Sequence, residues 1–263
     1  MNAFTQSYEY DKNNNRTKIT KDGTATTATY DAANQMTALG STSYAYDRNG
    51  NLTAYGSNSL TYDQADDWVS GTVNGSSVAF GYDGWGRRTN RTVSSTRTDF
   101  WYDQTGLTLE TGGASATYLR DPQGALLSVH NGTLYNYGRD RLSSTTALVT
   151  TGQALNTTYR YDPWGDSIGG TGSAYNPFQF TGVYRDSATS LYRMTQRYYQ
   201  PTSGRFTQMD PLPESVMLPN RYEYADCKPS NFVNPAGLYR CTAEYTMDQV
   251  SNLAGFALVL REG

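Results

Sequence analysis

Between Arg197 and Pro211 the chain reads RYYQPTSGRFTQMDP, which brings Arg197, Arg205 and Asp210 close together in sequence. An arginine beside an aspartate in a hidden place is either a structural ion pair or the charged part of a reactive site. Both readings are open for this stretch, which also has the form of a strand–turn–strand. Other chemistries find less support. The two cysteines, Cys227 and Cys241, have no metal-site spacing, and His130 is the only histidine, so a zinc centre is excluded. A Ser-His or Cys-His nucleophile depends on His130 alone, in the turn-like SVHNGTL. The runs DKNNN at Asp11 and DRNGN at Asp47 look like the start of a calcium loop, but the Gly and the late Glu of an EF-hand are not in place. Turn chemistry explains both, and no cofactor is implied.

The elements that must position these residues are legible from composition. Of 263 residues, 23 are tyrosine, and Thr, Ser, Asn and Gly fill much of the remainder. Tyr and Thr suit a half-buried pleated surface, and Gly and Asn suit turns, so an all-β chain is expected. A net charge of −3 without a basic tract argues against nucleic acid as a partner. The longest apolar run, FALVL at Phe256 to Leu260, is too short to span a membrane. The N-terminus has no apolar signal region, so the chain is either cytosolic or an excerpt of a longer exported protein.

Self-similarity is the strongest feature. Tyr-Asp pairs end at Asp11, Asp31, Asp47, Asp63, Asp83, Asp103 and Asp162, and YLRD and YGRD supply degenerate copies at Asp121 and Asp140. Alternation such as TSYAYD predicts strands, the Asp predicts a turn through side-chain bonds to the backbone, and a following Gly or Asn accepts positive φ. Each unit of about twenty residues is then one antiparallel hairpin, and stacked hairpins make a continuous curved sheet.

This pattern, from Tyr8 to about Gly165, resembles the YD repeats of the RHS family, which implies a sheet that spirals into a hollow shell. The segment from Pro177 is similar to the RHS-associated core domain. The matching pieces are FTG at Phe180, RD…LY from Arg185 to Tyr192, RYY at Arg197, GRF at Gly204, DP at Asp210, NRYEYA at Asn220 and NPAGL at Asn234 to Leu238. The resemblance implies that the core closes the shell and cuts its own chain after Leu238, before Tyr239, releasing a C-terminal toxin. It casts Asp210 as the essential carboxylate, Asp186 as its partner, and Arg197 as holder of a carboxylate or of the scissile carbonyl. One carboxyl would activate water while another donates a proton. The closing motif departs from the usual Asp-Pro-x-Gly-Leu. Asn234 stands before Pro235 and Gly237, and an Asn can shape the turn but cannot act as a base.

Three regions are thus expected: a YD-repeat sheet over 1–165, a core domain over 166–238, and a short segment over 239–263 that is an effector remnant or the start of a variable effector. From Met247 the tail has helical apolar spacing. Bare sheet edges should recruit this chain itself or longer YD-repeat chains. A toxin shell segment is the first functional expectation, and a non-catalytic structural or adhesive protein, such as a surface or filament subunit, is the alternative. Either places the chain outside the cell or at its surface, by a route not visible in its sequence.

Overall fold

The computed structural model describes residues 5–212, 220–234, 237–238 and 241–242. The expected helix from Met247, and Pro235 and Tyr239, lie outside them. Eighteen strands, β1 (Gln6–Tyr10) to β18 (Ser167–Thr171), pair antiparallel in chain order. The sheet extends to Thr171 rather than stopping at residue 165, because the ninth YD turn is followed by its own return strand.

Each unit turns by the same device. At Asp11, Oδ1 accepts the amides of Asn13 and Asn15, both at 2.9 Å. The same pair, two and four residues on, recurs at Asp31, Asp47, Asp63, Asp83, Asp121, Asp140 and Asp162. Asp103, in a shorter loop, accepts from Thr105. The residue three after the Asp has positive φ and is Asn, Gly, Asp or Ser, for example Asn14 (61°), Gly50 (83°) and Asp66 (60°). The tyrosines lace neighbouring units together. Hydroxyls of Tyr30, Tyr82, Tyr102 and Tyr161 donate to the carbonyls of Arg16, Trp68, Arg88 and Thr145, each the first residue of the preceding unit's return strand.

A register shift falls beside nearly every YD pair, as at Glu9/Tyr10, Thr29/Tyr30, Ala45/Tyr46 and Arg160/Tyr161. Bulges of this kind bend and twist a strand. Because they lie at the same end of every hairpin, the sheet curls. The curl brings the first hairpin against the ninth turn: Gln6 Nε2 donates to Asp162 (3.0 Å), Lys21 Nζ lies 3.1 Å from Asp166, and Tyr8 meets Trp164 edge-on.

The chain from about residue 173 fills the concave side. It carries a four-stranded sheet, β19 (Tyr184–Arg185), β20 (Tyr192–Met194), β21 (Arg197–Gln200) and β22 (Arg205–Phe206). Phe232–Val233 (β23) pairs with Cys241–Thr242 (β24). Tyr198 is buried against Trp68 and Phe80, Phe178 against Tyr118, and Phe180 against Tyr161. This plug also bonds to seven of the nine YD turns, through Asn15, Asn34, Gly50, Asp66, Gly86, Ser144 and Gly165. Arg205 alone reaches Asn15, the Asn34 carbonyl and Asn220.

Asp186 is the plug's charged anchor. Its fully buried carboxylate is 2.9 Å from Arg88 Nη1 and 3.1 Å from Arg91 Nη1, both on β10 (Arg88–Val93). Asp186→Ala leaves two arginines facing each other without a counter-charge. The expected loss is about 3–5 kcal/mol, read as a lower urea midpoint.

Acid should act through the same carboxylates. Burial alone pushes the Asp186 carboxyl up, but Arg88 and Arg91 outweigh it and its pKa is lowered. At Asp11 and Asp83 burial is likewise outweighed by bonds from Asn15 and Arg87, and at Asp103 the Thr105 bonds lower it directly. Groups depressed in the folded state stabilise fully above their unfolded pKa and lose that contribution as pH falls through the folded value. The thermal midpoint should hold steady between about pH 7 and 5 and fall progressively below about pH 4.

Candidate functional site

The stretch that opens with Arg197 is a hairpin of β21 and β22, turned at Gly204, and it is also the centre of a charged cluster. Alternation on β21 sends Tyr198 to one side, against Trp68. Tyr199 packs on the other against Tyr224 (4.6 Å between centroids), and its hydroxyl donates to the Trp164 carbonyl. With both tyrosines committed to packing, Arg197 starts the strand at 2% exposure.

The Arg197 guanidinium divides its donors three ways. Nη2 bonds Asp210 Oδ2 at 2.9 Å, Nη1 bonds the Arg221 carbonyl at 3.1 Å, and Nε bonds the Gly237 carbonyl. Its carbon lies 3.7 Å from the centre of the Phe206 ring, a cation–π contact in a dry setting. Burial pushes the guanidinium down to about 10, against the opposing pull of Asp210, so it stays charged near neutral pH. The other Asp210 oxygen accepts the Leu212 amide, and the Asp210 carbonyl accepts a bond from Arg221.

Asn234 makes two of the bonds that a YD aspartate makes. Asn234 Oδ1 accepts the amide of Leu238, four residues on, at 2.9 Å, and the Asn234 carbonyl accepts the amide of Gly237. Gly237 has φ +68°, and a Cβ there would come within 2.5 Å of the Met194 carbonyl oxygen. Only glycine fits that approach. The turn needs an oxygen at residue 234, which an amide provides as well as a carboxylate.

Arg197 therefore joins Asp210 to the backbone one residue before Leu238. Beside them lies a polar cavity of about 110 Å³, lined by Arg197, Asp210, Arg221, Gln208, Asp66 and Asp67. That is room for a few water molecules among polar partners. Larger hollows of about 430 and 210 Å³ lie elsewhere, and neither is lined by Asp210. Asp186, expected beside Asp210, is instead neutralised by Arg88 and Arg91 and held as an ionised acceptor. It is no proton donor in this state. His130 ends β14 (Leu126–His130) in an exposed position.

Several residues that build the site carried no assigned role in the sequence. Arg88 and Arg91 stand three residues apart, which strict alternation would put on opposite faces, and the register shift between Arg88 and Asn90 turns both inward. Arg205, Asn220 and Tyr222 lay within the matched core motifs, but their targets are YD turns some 170 to 205 residues away. Among the described residues, no group of three or more His, Cys, Asp or Glu is placed to hold a metal ion. No helix among them is long and apolar enough to cross a membrane, which leaves strands unaddressed.

Comparison with known proteins agrees with this architecture. The "tRNA3(Ser)-specific nuclease WapA" of Bacillus spizizenii is 32% identical over 249 residues, covering 88% of this chain and 11% of that protein. The "Toxin protein Tse5" of Pseudomonas aeruginosa is 40% identical over 62 residues, or 24% of this chain and 5% of that protein. The chain thus spans about a tenth or less of the length of these relatives. Among solved structures, a Tc holotoxin pore of Photorhabdus luminescens carrying a TccC3 mutation superposes with a TM-score of 0.73 at 18% identity, covering 90% of this chain and 13% of that one. The likeness at that identity is one of fold. The family model Teneurin YD-shell matches residues 1–244, and the chain belongs to that family.

Proposed function

We propose that this chain is the closing part of a toxin-carrying YD shell and that its core cuts its own backbone after Leu238. The observation that carries the reading is Arg197, which binds the Asp210 carboxylate and the Gly237 carbonyl at once. An arginine so placed fixes the segment one peptide bond before the junction, and Asp210 borders a cavity of a few water molecules beside it. Turn formation by Asn234 holds Leu238 in register without taking part in the chemistry. Asp186 secures the plug.

The relatives named as a nuclease and a toxin support a C-terminal effector as the released piece. They also favour an exported shell that acts outside the producing cell. Among the described residues β1 and β18 each pair with one neighbour in the meander, so this chain itself or longer YD-repeat chains are the partners that such edges accept.

Intact mass of the purified full chain tests the cut. The wild type should appear as two pieces divided between Leu238 and Tyr239, still associated under native conditions. Asp210→Asn should remain whole, because an amide cannot take the proton of water. Arg197→Ala should cut about a hundredfold more slowly, because the segment before the junction loses the anchor that positions it. A wild type that stays whole for days near neutral or mildly acidic pH overturns the reading in favour of a structural surface protein.

The closing turn makes a separate prediction. Asn234→Asp should cut at the wild-type rate, since either side chain offers the oxygen that Leu238 needs. Gly237→Ala should abolish the cut, because the added methyl displaces the carbonyl from Arg197. Cleavage by Asn234→Asp alone, with the wild type inert, shows instead that a carboxylate at 234 takes part in the reaction.

A further inference from the structure

We propose that the hollow of about 210 Å³ beside the sixth YD turn binds a small aromatic carboxylate, seated between that turn and the plug. The site is separate from Asp210 and from the cut after Leu238.

Its place in the repeat follows from a shortened loop. In the third unit Tyr46 pairs with Leu52, six residues on. In the sixth, Tyr102 on β11 (Thr96–Asp103) pairs with Leu107 on β12 (Gly106–Gly112), only five residues on. The fourth residue after the Asp offers the plug an oxygen in other turns, as Asn15 and Ser144 do. Here that residue is Leu107, which lines the hollow instead. Among the described residues no hydrogen bond joins the plug to the sixth or seventh turn. The hollow lies where the plug skips the rim.

Its walls combine rings with arginines. Phe100 and Tyr102 come from β11, and Phe178 and Tyr184 from the plug. Guanidinium carbons lie over these rings: Arg87 at 5.2 Å from the Tyr102 centroid, Arg88 at 4.6 Å from Phe100, and Arg120 at 5.0 Å from Phe178. Arg193 also lines the hollow, and no Asp or Glu does. Carboxylates outside it neutralise two of the four, Asp83 on Arg87 and Asp186 on Arg88. Arg120 bonds the carbonyls of Leu107 and Gly124, and Arg193 bonds that of Gly86. Neither is in an ion pair among the described residues, so the hollow has an excess of positive charge. Burial lowers the pKa of Arg120, the mark of a charge taken from water with too little counter-charge.

Such walls select an anion with a flat apolar body. An apolar cavity of about 150 Å³ takes benzene, so this one has room for a ring and a carboxylate. The ring fills the space among Phe100, Leu107 and Phe178, and the carboxylate meets the forked donors of arginine. Acetate leaves the apolar space unfilled, and a neutral ring leaves the charge unanswered. Arg87 and Thr195 are exposed and mark the mouth by which a ligand enters. Once bound, it supplies the link between the sixth turn and the plug that other turns make by hydrogen bonds.

The test titrates phenylacetate into the purified full chain by calorimetry and follows the thermal midpoint alongside. The wild type should bind it at a single site with a Kd of about 1 mM or tighter, and the midpoint should rise with its concentration. Acetate and benzyl alcohol should each bind about tenfold more weakly or less. Arg120→Gln and Arg193→Gln should each weaken phenylacetate about tenfold. Arg160→Gln, beside the hollow of about 430 Å³, should leave its affinity unchanged. Leu107→Trp, which fills the space, should abolish binding. Absence of saturable binding in the wild type, benzyl alcohol binding as tightly as phenylacetate, or wild-type affinity in both Arg120→Gln and Arg193→Gln overturns the assignment. The comparison of three probes on the wild type holds even where a variant fails to fold.

Discussion

One hydrogen-bonding pattern governs the molecule: an aspartate oxygen that accepts two backbone amides, two and four residues ahead of it. It closes each turn over four residues and forces positive φ on the third, as at Asn14 and Asp66. Everything lateral then follows. The residue before the Asp sits at a register shift, the return strand begins at a fixed place, and the next unit's tyrosine finds a carbonyl there. Eight full copies of the pattern put all these turns on one rim, where the plug can address them as a row.

The plug is held by contrast rather than by a uniform core. Two clusters of packed rings, one with Trp68 and Tyr198 and one with Tyr199, Phe206 and Tyr224, provide apolar burial, which is the general source of cohesion. Set into them are charges that have left water and must be matched: Asp186 between two arginines, Arg197 with three acceptors, and Arg205 among Asn15, Asn34 and Asn220. A charge buried this way tolerates few alternative positions, because any displacement strands it without a partner. Burial therefore gives the plug its strength, and the ion pairs and forked arginines give it one orientation inside the curl.

The repeat architecture was legible because its signals are local. Tyr-Asp spacing, Gly or Asn after the turn, and alternating strands all act within about twenty residues, and the antiparallel meander follows. The hairpin at Arg197 and the turn at Asn234 were legible for the same reason. What the sequence withheld was distance. Arg88 and Asp186 are 98 residues apart, and no local pattern announces that β10 will neutralise the plug's carboxylate. The return strand β18 was missed because SIGGT lacks the apolar alternation of its neighbours.

Those separations also set an order of events. A hairpin joins residues within some twenty positions of each other, so its closure is a small entropic step and the units can form as they emerge from synthesis. Contacts of the plug span far more chain, 172 residues between Tyr222 and Gly50 and 190 between Arg205 and Asn15. Arg197 draws its three acceptors from Asp210, Arg221 and Gly237, all later in the chain than itself. Its surroundings are consequently finished last, after the sheet has curled and the final turn has seated. The buried guanidinium therefore gathers its three acceptors only after the hairpins before it are in place.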